Sequence, residues 1–355
     1  MRLLLVSLLA CVSARPLWVE KDVSLVMAPM VVDGMLATGQ ASITNYVSAS
    51  AVLITATTES AVVTVPASTS SWISSTPISS STTQSAPVQS SSSAGNAFYS
   101  GAAGIAYSPY QKNGQCKTLE MVTADMAEIQ DFGIIRIYAT DCNVLANLKA
   151  AVSSNQKIMV GIWDLTKISD SVTAITSAFG SDFSQIQSVS VGNELVNSGQ
   201  ATVQDIQTAV SSAKSQLQAI GYSGSVVSVD TLVAVTANPG LCEISDFLAV
   251  NSHPYWDGNV EPSNCGPWLK QQIANLQATC GSDKQVLITE TGWPNSGDAN
   301  GNCWPSPENM QTCVESINSA LGSQVLLFTT YNDYWKNPGP ENVEQRWGIF
   351  GDPAY

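Results

Sequence analysis

Hydrophobic and polar positions form alternating blocks over residues 98–355, and these blocks predict a repeating order of strand and helix. Eight short runs are continuously apolar or β-branched, which is typical of strands buried on both faces of a parallel sheet. Between them, apolar residues recur every three or four positions, which indicates amphipathic helices. The predicted strands cover residues 103–107, 134–139, 157–163, 187–193, 226–231, 247–252, 285–289 and 324–330. The predicted helices cover residues 118–132, 143–153, 168–183, 202–220, 265–279 and 306–321.

Eight strands alternating with helices predict an α/β protein with a (β/α)8 TIM barrel. The helix after the fifth strand is expected to be weak, because Asn238-Pro239-Gly240 interrupts it. A doubly wound open sheet is the alternative, but such sheets usually carry Gly-x-Gly-x-x-Gly after a strand. None of the predicted strand ends carries that motif, so the barrel is favoured.

Residues 1–97 differ in composition from this predicted domain. Residues 1–14 resemble a secretory signal, with Arg2, a short apolar run and small residues at Val12-Ser13-Ala14. That run is too short for a membrane span. Residues 15–97 are predicted to be disordered, and no charged residue occurs between Ser60 and Gln111. The Ser/Thr-rich second half indicates an O-glycosylated stalk, with a plain flexible linker as the alternative.

Charge and rare residues limit the kind of protein that the sequence describes. The net charge is −14, which argues against nucleic acid as a partner. A single histidine, His253, argues against a histidine-rich metal site, so neither a metal nor a cofactor is expected. The signal predicts a secreted protein without a membrane anchor, and a monomer is the default expectation.

Two glutamates stand where buried strands meet loops. Glu290 follows the apolar run Val286–Thr289, and Glu194 follows Val189–Asn193. A carboxylate at such a place is costly unless it is paired or used in chemistry. Because barrel enzymes carry their chemistry at the carboxyl ends of the strands, we expect Glu194 and Glu290 to form one acid–base pair.

Other strand ends carry residues suited to a sugar ligand. Arg136 and Tyr138 lie on the second predicted strand, and Tyr331 lies at the end of the eighth. Arg136 could either hold a nearby carboxylate ionised or serve packing. His253 follows the sixth strand and is expected to support the wall of the site. The aromatic residues there favour a carbohydrate, whose C–H faces pack against rings. The tryptophans near strand ends are Trp163, Trp256, Trp268, Trp293, Trp304 and Trp335.

Residues 100–355 resemble the fungal branch of glycoside hydrolase family 17, the cell-wall β-1,3-glucanases and glucanosyltransferases. The motifs that carry this resemblance are Gly104–Tyr110, Ile135–Tyr138, Val191–Glu194, Ile288–Pro294 and Arg346–Phe350. The resemblance implies a retaining glycosidase that acts on β-1,3-glucan in cell-wall remodelling. A transferase using the same covalent intermediate, or a non-catalytic glucan-binding wall protein, stays open as an alternative.

The resemblance also implies roles for single residues. Glu194 would be the general acid/base and Glu290 the nucleophile, with carboxyl groups about 5–5.5 Å apart. Asn193 would bind the sugar 2-hydroxyl. The aromatic residues expected to line the cleft are Tyr107, Tyr255 and Trp293.

Seven cysteines follow the predicted signal, so one should remain unpaired. The predicted elements favour the pairs Cys116–Cys142 and Cys242–Cys280. Cys265 and Cys280 should not pair, because a helix of about 15 residues, roughly 22 Å long, separates them. These placements leave Cys265 to pair with Cys303, and Cys313 free.

Overall fold

The computed structural model describes Met30–Val32, Met35–Ala37 and residues 97–355. Met30–Val32 and Met35–Ala37 pair as a short antiparallel ladder inside the range predicted to be disordered. The predicted signal and the Ser/Thr-rich segment of residues 66–95 lie outside the described residues, so both stay predictions.

Eight parallel strands close into a barrel, as the alternating pattern predicted. Each strand pairs with the next along the chain, and the last pairs with the first. The strands are β1 Gly104–Ala106, β2 Ile134–Arg136, β3 Lys157–Ile162, β4 Ile186–Val191, β5 Ser225–Thr231, β6 Leu248–Asn251, β7 Val286–Thr291 and β8 Val325–Leu327. Several of them are shorter than predicted, because the apolar runs continue into loops that pack against the barrel.

Helices fill the predicted positions between the strands. They are α1 Leu119–Glu128, α2 Val144–Ala151, α3 Ile168–Phe179, α4 Val203–Ala219, α5 Leu232–Ala237, α6 Cys265–Cys280 and α7 Pro307–Leu321. Thr202 caps α4 in a reciprocal bond with Asp205, and Gly221 follows its end with φ +89°. The short α5 ends before Pro239, as its interrupted sequence predicted. Among the described helices, none is long and apolar enough to cross a membrane.

The core has two parts. Apolar strand residues that face outward pack with the helices in one large cluster. A smaller cluster consists of residues from strands alone and fills the barrel: Met159, Val227, Val229, Ala249, Leu287 and Leu326. The closed, filled barrel therefore holds the carboxyl ends of all eight strands in fixed positions.

Within residues 97–355, three disulfides tie loops and helices together, and one of the predicted pairs is wrong. Cys116–Cys142 and Cys242–Cys280 form as expected. Cys265 pairs with Cys313 instead of Cys303, and among the cysteines of residues 97–355 Cys303 is the free one, and it is buried. The reason is the close packing of α6 on α7: a Cβ on Gly266 would lie only 2.1 Å from the backbone oxygen of Ser316. This contact places the start of α6 against the face of α7 that carries Ser316 and, about one turn earlier, Cys313.

Candidate active site

Glu194 lies directly beyond β4, on a sharply turned backbone. Gly192 has φ +76° and Glu194 has φ +56°, so two of the three residues after Val191 are left-handed. A non-glycine residue in this region is strained by roughly 1–3 kcal/mol, and such strain clusters at functional sites. The turn is held by the backbone N–H of Glu194, which donates to the Val229 carbonyl at 3.0 Å. The half-buried carboxylate thus takes a position that a regular strand would not give it.

Glu290 lies within β7 and is only 6% exposed. Its Oε1 accepts hydrogen bonds from Arg136 Nη1 at 2.6 Å, from the Tyr138 hydroxyl at 2.9 Å and from Asn251 Nδ2 at 2.9 Å. Its Oε2 lies 3.5 Å from Nε2 of His253. Three strands, β2, β6 and β7, therefore converge on one carboxylate.

Asn251 joins the two glutamates. Its Nδ2 donates to Oε1 of Glu194 at 2.7 Å and to Oε1 of Glu290 at 2.9 Å. The two oxygens therefore cannot be further apart than the sum of these two bonds. That sum is smaller than the separation of roughly 6.5 Å or more found in inverting glycosidases. The bound on this one pair of oxygens favours the shorter separation of a retaining pair of carboxyl groups.

Arg136 organises the remainder of the cluster. Besides Glu290, it donates to Oδ1 of Asn193 at 2.7 Å and to the Thr289 carbonyl at 2.9 Å. Its side chain is 1% exposed, so its charge is compensated by these buried partners rather than by water. Arg136 therefore holds a carboxylate ionised, one of the two roles that the sequence left open.

The two carboxylates have opposite electrostatic surroundings. Burial, with the nearby negative charge of Glu290, raises the pKa of Glu194 to about 8. Burial alone would also raise the pKa of Glu290, but Arg136 together with His253 and Tyr138 lowers that pKa to about 2. One carboxyl group is therefore protonated at neutral pH while its neighbour is ionised, the division that a general acid and a nucleophile need.

The structure brings together five of the nine predicted site residues: Arg136, Tyr138, Asn193, Glu194 and Glu290. Sequence reasoning missed Asn251, although the signal was present. Asn251 ends the apolar run of β6 in the same way as Glu194 follows that of β4. His253, which was expected to support the wall of the site, lies beside the Glu290 carboxylate, with its Nε2 facing Oε2.

The other four predicted residues lie elsewhere. Tyr107, Tyr255 and Trp293 are at most 1% exposed, so the prediction that they line the cleft is corrected. Tyr255 and Trp293 pack edge to face behind the site, 5.7 Å between ring centroids. Tyr107 donates to Asp125 at 2.8 Å, and Lys117 lies over both the Tyr107 and Tyr331 rings. Tyr107 and Tyr331 thus share a cluster around Lys117, just beyond the carboxyl ends of the first and last strands.

Comparison with known proteins places the chain in a family. Residues 104–348 match the BtgE/BtgC glycoside hydrolase domain. The chain is 44% identical over 261 residues to the "Cell surface mannoprotein MP65" of Candida albicans, covering 73% of this chain and 69% of that protein. It is 47% identical over 252 residues to the "Probable family 17 glucosidase SCW10" of Saccharomyces cerevisiae, covering 70% and 65%. The aligned part thus spans about two thirds of these curated relatives.

A solved structure shares the fold. The glycoside hydrolase family 17 β-1,3-glucanosyltransferase from Rhizomucor miehei superposes with a TM-score of 0.60 at 22% identity, over 71% of this chain and 94% of that one. The cell-surface name of the Candida relative agrees with the predicted extracellular location. The chain therefore belongs to the BtgE/BtgC glycoside hydrolase family, and the resemblance to fungal family 17 cell-wall glycosidases that its motifs indicated is confirmed.

Proposed function

We propose that this protein is a retaining glycosidase that cleaves β-1,3-glucan internally in the fungal cell wall. The observation that carries the proposal is the pair of bonds from Asn251 to Glu194 and Glu290. A shared hydrogen-bond donor of this kind supports a short separation between the two carboxyl groups, which a covalent glycosyl-enzyme requires. The substrate class follows from the resemblance to family 17.

In the first step, Glu194 donates its proton to the glycosidic oxygen. The ionised Glu290 attacks the anomeric carbon from the opposite side, and the bond from that carbon to the departing oxygen breaks. The shortened glucan chain leaves with the proton of Glu194. Arg136 and Tyr138 keep hold of Oε1 of Glu290 during this step.

In the second step, Glu194 acts as the base. It takes a proton from water while the water oxygen attacks the anomeric carbon, and the bond from that carbon to Glu290 breaks. The same step with a sugar hydroxyl in place of water would make the protein a glucanosyltransferase. In a second solved structure, an active-site mutant of the Rhizomucor β-1,3-glucanosyltransferase is in complex with laminaritriose, which motivates laminari-oligosaccharides as first substrates.

Product analysis on laminari-oligosaccharides with reduced ends tests the proposal, with the Glu290→Gln variant as control. Products that are all shorter than the substrate, and absent with Glu290→Gln, are the expected result. Products longer than the substrate would replace the hydrolase by the transferase. No conversion by the wild type, with binding retained, would leave a glucan-binding wall protein. Equal activity of Glu290→Gln would overturn the assignment of the site.

A further inference from the structure

Three tryptophans remain well exposed near the carboxyl ends of the barrel strands. Trp163 directly follows β3, Trp304 lies between β7 and α7, and Trp335 follows β8. Their side chains are 50%, 66% and 39% exposed. Single exposed apolar residues are ordinary on protein surfaces, so exposure alone assigns none of them a role.

Trp335 differs from the other two in how its ring is held. Its Nε1 donates to Oδ1 of Asp333 at 3.0 Å, and Oδ2 of Asp333 lies 2.8 Å from Nζ of Lys336. The ring of Tyr110 packs against the indole with 4.7 Å between centroids. The indole therefore cannot rotate without breaking a hydrogen bond and a ring contact.

The support beneath Trp335 is closed by a disulfide. The Tyr110 hydroxyl donates to both carboxylate oxygens of Asp141, at 2.8 and 3.0 Å. Tyr110 forms a backbone bridge with Cys116, and Asp141 precedes Cys142. Because Cys116 and Cys142 are bonded, the loops after β1 and β2 are tied together under the ring.

Trp335 also lies next to the charged groups of the candidate site. Nζ of Lys336 lies 5.5 Å from the centroid of the Trp335 ring and 4.7 Å from that of the Phe328 ring. Phe328 packs edge to face against His253, with 5.4 Å between centroids, and Nε2 of His253 lies 3.5 Å from Oε2 of Glu290. A short chain of contacts therefore connects the indole to the proposed nucleophile.

We propose that Trp335 is a preformed platform on which one glucose unit of a β-1,3-glucan chain stacks, beyond the unit bound at Glu290. A fixed ring loses little conformational freedom on binding, and its flat face suits the C–H face of a sugar. The Lys336 side chain beside the ring is 24% exposed and can donate to a hydroxyl group of the sugar, whereas Asp333 is buried and only holds the indole. The proposal rests on the proposed function for its substrate class, and it makes Trp335 a determinant of chain-length preference.

Calorimetric titration of the full-length Glu290→Gln protein with laminari-oligosaccharides of two to six units tests this platform. Adding Trp335→Ala should weaken binding of the longer oligosaccharides by about threefold to tenfold and leave the shortest unchanged. Trp304→Ala is the matched control, because Trp304 is more exposed and lacks this support, and it should change no affinity. Trp335→Phe keeps a flat ring and should fall between the two.

The disulfide supplies a second, independent test. The double variant Cys116→Ala, Cys142→Ala should reproduce the length-dependent loss, with near-ultraviolet circular dichroism confirming the fold. Unchanged affinities in Trp335→Ala, or an equal loss at every length, would overturn the platform. Cleavage by wild-type protein is measured in parallel. If the wild type cleaves and Trp335→Ala binds normally, only the platform fails. If the wild type cleaves nothing while the length-dependent loss appears, only the proposed function fails.

Discussion

Nε2 of His253 lies 3.5 Å from Oε2 of Glu290, the oxygen that Arg136, Tyr138 and Asn251 do not contact. Nδ1 of His253 is buried without a hydrogen-bond partner, among the rings of Phe328 and Trp347. A proton on Nδ1 would have no acceptor, so the proton belongs on Nε2, where it faces Glu290. Oε1 is thus the anchored oxygen of the carboxylate, and Oε2 is the one available for attack.

A matched pair of variants tests this arrangement. Glutamine places its amide nitrogen near the position of Nε2, whereas asparagine places it near Nδ1. We expect His253→Asn to lower kcat severalfold and His253→Gln to lower it less, because only glutamine can place an N–H group near Oε2 of Glu290. The contact of 3.5 Å is long for a hydrogen bond, so a net contribution of about 0.5–1.5 kcal/mol sets the size of the effect. Steady-state kinetics on laminari-oligosaccharides measures the difference. Equal losses in both variants would assign His253 a packing role only.

The pH dependence of kcat/KM follows from the two pKa values. Glu194 must be protonated to act as acid, so activity should fall as pH rises through its pKa of about 8. Glu290 must be ionised, so activity should persist at acidic pH down towards its pKa of about 2, as far as the protein stays folded. Initial rates from pH 2 to 10, with tryptophan fluorescence as a check on folding, test both limbs. An alkaline limb that remains in Glu194→Gln would exclude Glu194 as its origin.

Leaving-group chemistry separates the roles of the two glutamates. Glu194→Gln should lose about 100-fold or more on glucan, because general acid catalysis contributes that much. On a dinitrophenyl laminari-oligosaccharide, whose leaving group needs no proton, the bond-breaking step should be nearly normal in Glu194→Gln. Glu290→Gln should remain inactive on both substrates. Burst-phase release of dinitrophenol measures this step, and a burst in Glu290→Gln would reverse the assignment.

Arg136 should be essential for stability as well as for the site. Arg136→Met leaves Glu290 buried without its cation, so the free energy of unfolding should fall by about 3–5 kcal/mol at neutral pH. Lys167→Met is the control, because its ion pair with Asp170 is exposed to solvent and should contribute less than about 1 kcal/mol. Urea denaturation of both variants measures the two changes. A similar small effect in both would mean that Glu290 is protonated in the fold.

The corrected disulfide gives a further prediction. The Cys265–Cys313 bond closes a loop with a sequence separation of 48, which corresponds to about 4 kcal/mol in the loop-entropy description. Cys265→Ser should therefore destabilise the protein strongly, whereas Cys303→Ser should have a much smaller effect. Thiol labelling before and after unfolding, followed by peptide mass mapping, should modify Cys303 only after unfolding. A Cys265–Cys303 peptide would contradict the structure.

The sequence alone predicted a site residue correctly where its position follows from its own strand. Glu194 and Glu290 each follow a continuous apolar run, and the carboxyl ends of barrel strands lie on one face, so their meeting was predictable. Asn251 ends an apolar run in the same way. A buried amide needs only ordinary hydrogen bonds, however, so its position does not by itself indicate a site as that of a buried carboxylate does. Burial was harder to predict, because Tyr255 and Trp293 follow strands and yet pack behind the site. The partner of Cys265 depends on the closeness of α6 to α7, a tertiary contact that no local pattern encodes.

The left-handed backbone at Glu194 lowers the folding stability at the residue that the proposed reaction requires. Asparagine adopts this conformation more easily than glutamate and carries no charge to bury beside Glu290. Glu194→Asn should therefore be inactive and at the same time more stable than the natural protein. A wall protein that had given up catalysis would gain from that exchange. The chain instead carries a strained and charged residue at this position, as the proposed role of Glu194 as general acid/base requires.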